Sequence, residues 1–123
     1  MDTVIELVDV AKTFTRRHRE GRKLRRTVTT VHAVDRLSFT IGAGQVVGYL
    51  GPNGAGKSTT VKMLTGILVP SSGQIRVAGL EPSRQRTTLA RRVGVVFGQR
   101  TTLWWDLPLR DSFQLIRHLY RVE

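Results

Sequence analysis

Three observations predict an α/β fold for this sequence, with a sheet-forming first half and strand–helix units after it. Apolar and polar residues alternate over Val4–Val10 and again from Val31 to Ile41. A compact apolar run, Val46, Val47, Gly48, Tyr49 and Leu50, leads into GPNGAGKS at Gly51 to Ser58, and apolar residues then recur at helical spacing. A second compact apolar run, VGVVF at Val93–Phe97, follows a second helix-like stretch.

Taken in order, Val4–Val10 reads as a half-exposed strand with Phe14 close behind it. The segment RRHREGRKLRR then interrupts the pattern, and residues 15–30 are expected to form a basic insertion loop. Alternation resumes with Val31, Ala33, Leu37, Phe39 and Ile41, and Gly42 and Gly44 turn the chain into the run at 46–50, which reads as a buried parallel strand. Val61, Met63, Leu64, Ile67 and Leu68 continue as a helix until Pro70. PSSG makes a turn before a short strand carrying Ile75 and Val77, which Gly79 closes. Pro82 and Ser83 start a helix to about Arg92 with Leu89 and Ala90 inward, and VGVVF is the next strand. From Leu109, the residues Phe113, Leu115, Ile116, Leu119 and Tyr120 give a final helix an apolar face.

At 123 residues the chain is the size of one domain, and its 40% hydrophobic content is ordinary for a globular protein. No apolar run is long enough to cross a bilayer, and Met1 is followed by DTVIELVDV instead of a secretory signal, so a soluble or peripheral, cytoplasmic protein is expected. The absence of cysteine excludes disulfides and thiolate zinc sites. The net charge of +11 is concentrated at Arg16, Arg17, Arg19, Arg22, Lys23, Arg25 and Arg26. Such a run reads as a solvated loop, a patch for lipid or a partner, or a nucleic-acid contact. The last is the weakest of the three, because no aromatics are interleaved to stack bases and no DNA-reading motif surrounds it.

GPNGAGKS carries the chemistry. Gly51, Gly54 and Gly56 let backbone N–H groups approach phosphate oxygens where a Cβ would intrude. Lys57 adds a compact positive charge within reach of β and γ oxygens, and Ser58 offers a hydroxyl suited to Mg²⁺. A helix starting here directs its unpaired amides and positive dipole end to the same anion.

The order of AVDRLSFTIGAGQVVGYL, GPNGAGKSTT, MLTG, PSSGQIRVAG and RRVGVVFGQ resembles the ATP-binding-cassette ATPases of membrane transporters over nearly the whole chain. The closing VVFGQRTTLWWDLPLRDSF is similar to the ATPases of exporters with type-2 permeases, the drug and viologen export group. The resemblance implies the amino-terminal part, residues 1–123, of one nucleotide-binding domain. That part comprises a partial phosphate-loop nucleoside triphosphatase core, an antiparallel β subdomain ahead of it, and the opening of the helical subdomain over 109–123. It implies ATP and Mg²⁺ as ligands, held by Gly51, Asn53, Gly54, Ala55, Gly56, Lys57, Ser58, Thr59 and Thr60, with Thr59 on the α phosphate side. Phe14 corresponds to the aromatic that stacks on adenine, although tyrosine is commoner there. Gln99 corresponds to the glutamine that senses Mg²⁺ and the attacking water and couples nucleotide to permease. An integral membrane permease subunit and a second nucleotide-binding domain are the implied partners, at the inner face of the cell membrane.

Trp104 and Trp105 lie where the family forms a groove for the permease, and read equally as core anchors. His18, His32 and His118 are too scattered for a metal site. No apolar strand ends in Asp-Glu, and SSGQ at Ser71 to Gln74 has one glycine and leads into a strand, so it belongs to the turn and is not the family's γ-phosphate cap. The expectation is an amino-terminal piece of a longer cassette that binds nucleotide without turning it over; the alternative is a truncated non-catalytic or regulatory module.

Overall fold

The computed structural model describes residues 2–19, 26–96, 98, 103 and 106–122. Its elements are β1 (Thr3–Arg19), β2 (Arg26–Gly42), α1 (Lys57–Leu64), β3 (Ser72–Val77), α2 (Arg86–Ala90) and α3 (Leu109–Tyr120). β1 is the middle strand of an antiparallel sheet of order β2-β1-β3.

The ladder between β1 and β2 runs from Thr3↔Gly42 to Arg19↔Arg26. The expected loop over 15–30 is therefore replaced by paired strands that carry most of the basic residues, with only 20–25 between them. The cause is residue type. Cross-strand pairs such as Phe14↔Val31, Thr15↔Thr30 and Arg16↔Thr29 match aromatic and β-branched side chains that suit a pleated surface.

Register shifts bend this sheet at defined points. Between Leu7↔Phe39 and Val10↔Leu37 the extra residue lies on β1, where Asp9 takes φ 48° and its N–H donates to Ser38 Oγ at 2.8 Å. Between Lys12↔Val34 and Thr13↔His32 it lies on β2, and Ala33 is left without a partner. Each bulge meets a glycine: a Cβ on Gly73 (φ 84°) would run into the Asp9 carbonyl, and one on Gly56 would run into the Ala33 carbonyl.

Leu7, Val10, Val34, Ile75 and Val77 of the sheet bury against Met63 of α1 and Leu89 of α2. Alternation accounts for Ile75 and Val77, two apart on one face, and the extra residue of the β1 bulge brings Leu7 and Val10, three apart, to that face as well. α1 ends at Leu64, short of the expected Leu68, because Gly66 at φ 74° leaves the helix and returns its N–H to Met63 O. α2 spans only Arg86–Ala90, because residues 81–85 are held as a turn in which Glu81 N–H donates to the Gln85 side chain.

The apolar runs at 46–50 and 93–96, expected as buried strands, join no ladder among the described residues. Val46 is 103% exposed, and Leu50 and Val96 are each 91% exposed. Parallel strands draw their neighbours from distant sequence, and no such neighbour lies beside these runs among the described residues.

Candidate functional site

The glycine-rich loop is held on the sheet by its own residues. Gly56 is the N-cap of α1 in the left-handed conformation (φ 81°, ψ 6°), a geometry in which other residues are strained. It lies against the β2 bulge, with the Ala33 carbonyl and Val34 Cγ2 occupying the space a Cβ would need. The bulge thus frees a backbone carbonyl from the ladder at the point where the loop passes.

Thr60 and Tyr49 pin the loop from either side. Thr60 is fully buried, its hydroxyl donating to Gly56 O at 3.1 Å and lying 3.3 Å from the Tyr49 hydroxyl. The Tyr49 ring packs against Phe39 of β2 at 6.0 Å between centroids. Of the residues expected to hold the nucleotide, Thr60 has its hydroxyl engaged at the start of α1, whereas Ser58 is exposed and Thr59 half-buried.

What remains at the mouth is a row of donors. The Ala55 amide bonds to Pro52 O and the Thr60 amide to Gly56 O, whereas among the described residues no backbone carbonyl accepts from Gly54, Gly56, Lys57, Ser58 or Thr59. These are the orphan N–H groups of a helix start and its preceding turn. The space where a Cβ would sit on Gly54 is open, with no atom within 4 Å. Lys57 Nζ donates to Pro52 O at 2.7 Å and also to Gly51 O, so its ammonium is curled over the loop's own carbonyls. Asn53 and Ala55 are exposed on the same loop.

Phe14 lies opposite Val31 in the ladder, and its ring is 41% exposed. Lys12 Nζ lies 5.2 Å from the ring centroid while also donating to Val69 O at 2.7 Å. Val31 and Ala33 are two residues apart on β2, so the Phe14 position and the Gly56 contact are separated by about 7 Å along the strand. Two paired strands therefore bring a partly exposed aromatic ring, on β1, close to the seat of the donor loop, on β2.

Gln99, Trp104 and Trp105 lie outside the described residues. Ser72 to Gln74 of the SSGQ stretch belong to β3, in keeping with its assignment away from a γ-phosphate cap. His32 and His118 are exposed, and no group of three or more metal-ligating side chains forms among the described residues. Sequence reasoning missed the roles of Ala33 and Tyr49. A bulge is a property of two strands in register and leaves no mark on one; Tyr49 did carry a signal, as a hydroxyl inside an apolar run that has to find a partner.

The comparisons agree with this geometry. The profile of the ABC transporter family matches residues 34–117. The ABC transporter ATP-binding protein NatA of Bacillus subtilis (strain 168) is 41% identical over 90 residues, which cover 73% of this chain and 37% of NatA. The Nod factor export ATP-binding protein I of Sinorhizobium fredii (strain NBRC 101917 / NGR234) is 45% identical over 112 residues, 90% of this chain and 28% of that protein. Among solved structures, the dimeric post-hydrolysis state of the ATP-binding cassette MJ0796 bound to ADP and Pi has the same fold, with a TM-score of 0.68 at 21% identity over 97% of this chain and 49% of that one. The chain spans roughly a third of the length of these two curated relatives (37% and 28%). No described helix is long and apolar enough to cross a membrane. With the donor loop, its glycine seat and a family profile over more than half its length, the chain belongs to the ABC transporter family.

Proposed function

We propose that this chain is the ATP-binding portion of an ABC exporter subunit, and the observation that carries the reading is the set of amides at Gly54, Gly56, Lys57, Ser58 and Thr59, which have no backbone acceptor among the described residues, together with the Lys57 ammonium beside them. These donors fit a polyphosphate: they are preformed, they converge at a helix start, and glycine leaves room for close approach. In this reading Lys57 leaves the Gly51 and Pro52 carbonyls for the β and γ phosphates, the Thr59 amide lies toward the α phosphate, and Phe14 offers its open face to adenine. Ser58 supplies the protein oxygen for Mg²⁺, an ion that keeps most of its shell from water and phosphate and so needs few side chains. Bound Mg²⁺ would neutralise charge on the β and γ oxygens. Gln99 would complete the metal and water environment.

Residues 1–123 are read as the amino-terminal portion of one nucleotide-binding domain, with 109–123 opening its helical subdomain. The exposed Val46, Leu50 and Val96 support further chain packing over this edge in the whole protein. A membrane permease subunit and a second nucleotide-binding domain are the proposed partners, at the cytoplasmic face of the membrane. That NatA is called an ATP-binding protein and the Sinorhizobium relative a Nod factor export protein supports the exporter reading.

No apolar strand in the 123 residues ends in Asp-Glu, the pair of carboxylates that would support Mg²⁺ and orient water, and in our reading they bind ATP without turning it over. Equilibrium dialysis of the purified chain should retain ATP while a phosphate assay stays at background. Steady phosphate release that Lys57→Ala abolishes overturns the second half of the reading, and absence of any ATP retention overturns the first.

A further inference from the structure

We propose that Lys12 is a positioning residue for the nucleotide base: its ammonium covers one face of Phe14 and holds the ring so that the other face takes adenine. The role rests on the reading of Phe14 as the aromatic that stacks on the base. Lys12 Nζ lies 5.2 Å from the ring centroid, within the distance at which a cation is drawn to the negative face of a ring. A ring covered in this way has one face left for a base.

The sheet sets both side chains on the side of the donor loop. Lys12 and Phe14 are two apart on β1, with no extra residue between them on that strand, so alternation gives them one face. Lys12 pairs with Val34, whose buried side chain borders the Gly56 seat, and partners across a ladder share a face. The ring and the loop therefore lie on the same face of the sheet.

The ammonium is itself held from a fixed point. Lys12 Nζ donates to Val69 O at 2.7 Å, and the segment behind Val69 is clasped to β1 on each side of Lys12. Ser71 N–H donates to Ala11 O at 2.8 Å, and Thr13 N–H to Ser71 Oγ at 3.0 Å. The same segment is tied back to α1, because Leu68 N–H donates to Lys62 O at 2.9 Å. The ring is thus referenced to the helix whose first amides face the phosphates. A lysine serving solubility alone keeps its charged head in water. Lys12 is half-buried, and its charge lies between a carbonyl and a ring, with no carboxylate paired to it among the described residues.

Calorimetric titration of the 123-residue chain with Mg-ATP and with Mg-tripolyphosphate, which has phosphates and no base, tests this. Lys12→Met keeps the stem and removes the charge. It should weaken ATP binding about twofold to fivefold, the worth of one exposed cation–ring contact, and leave tripolyphosphate binding unchanged. Lys12→Arg, which also donates and stacks on rings, should bind ATP as the parent does. Phe14→Ala should weaken ATP binding further, about tenfold for one stacked base, and adding Lys12→Met to it should change nothing more. An equal loss toward tripolyphosphate in Lys12→Met would mean that Lys12 touches phosphate or only braces the fold, and would overturn the proposal. So would parent-like ATP binding by Lys12→Met beside a weakened Phe14→Ala. Parent-like ATP binding by Phe14→Ala would instead overturn the adenine reading itself, and the role of Lys12 with it.

Discussion

The antiparallel sheet and the apolar runs on either side of the phosphate loop are made of the same residue types, valine, isoleucine and leucine, yet one is packed and the other open. β1, β2 and β3 complete their ladders from each other and bury Leu7, Val10, Val34, Ile75 and Val77. Residues 46–50 and 93–96 join no ladder among the described residues and leave Val46, Leu50 and Val96 at the surface. Antiparallel neighbours can follow one another through short connections, whereas a parallel strand needs a neighbour brought from far along the chain. The donor loop joins the two regions, and it is ordered from the sheet side, through Gly56 on the Ala33 bulge and Tyr49 on Phe39.

This contrast can be broken from either region. The largest effect is expected in the packed one: Met63→Ala removes a fully buried side chain between α1 and the sheet and should cost about 2–5 kcal/mol, visible as a fall in the urea midpoint. Lys57→Ala comes next, and acts on ligand alone. Loss of a charge-assisted contact worth about 1.5–3 kcal/mol should weaken ATP binding roughly tenfold to hundredfold in calorimetry, with the far-ultraviolet circular dichroism unchanged. Gly56→Ala should cost stability of about 1–2 kcal/mol from the left-handed backbone, and should weaken ATP binding as well, because the new methyl displaces the loop from Ala33. Val46→Thr should shift the urea midpoint least, within about 0.5 kcal/mol, although the sequence alone would rank position 46 with the core. A large loss at Val46 would erase the distinction between the two regions.

The sheet was legible because alternation over Val4–Val10 and Val31–Ile41 reports one buried face directly. The ladder beyond it was not, since arginines hide the β-branched partners that sustain it from Phe14↔Val31 to Arg19↔Arg26. At the loop, motif and resemblance named Gly51, Asn53, Gly54, Ala55, Gly56, Lys57, Ser58, Thr59 and Thr60 together, and the structure leaves the amides of Gly54, Gly56, Lys57, Ser58 and Thr59 without a backbone acceptor among the described residues. It could not separate Thr60 from its neighbours, because only the packing reveals that this hydroxyl turns back to Gly56 O and Tyr49. Nor could it show the Ala33 bulge, which depends on how Lys12 and Thr13 pair across the sheet.

Amide hydrogen exchange with and without Mg-ATP tests most directly whether the loop is a preformed phosphate cradle. The account predicts new protection at Gly54, Gly56, Lys57, Ser58 and Thr59, little change along β1 and β3, and, in Lys57→Ala, the same protection only at roughly tenfold to hundredfold higher Mg-ATP. Binding of ATP that leaves those amides exchanging freely would contradict it.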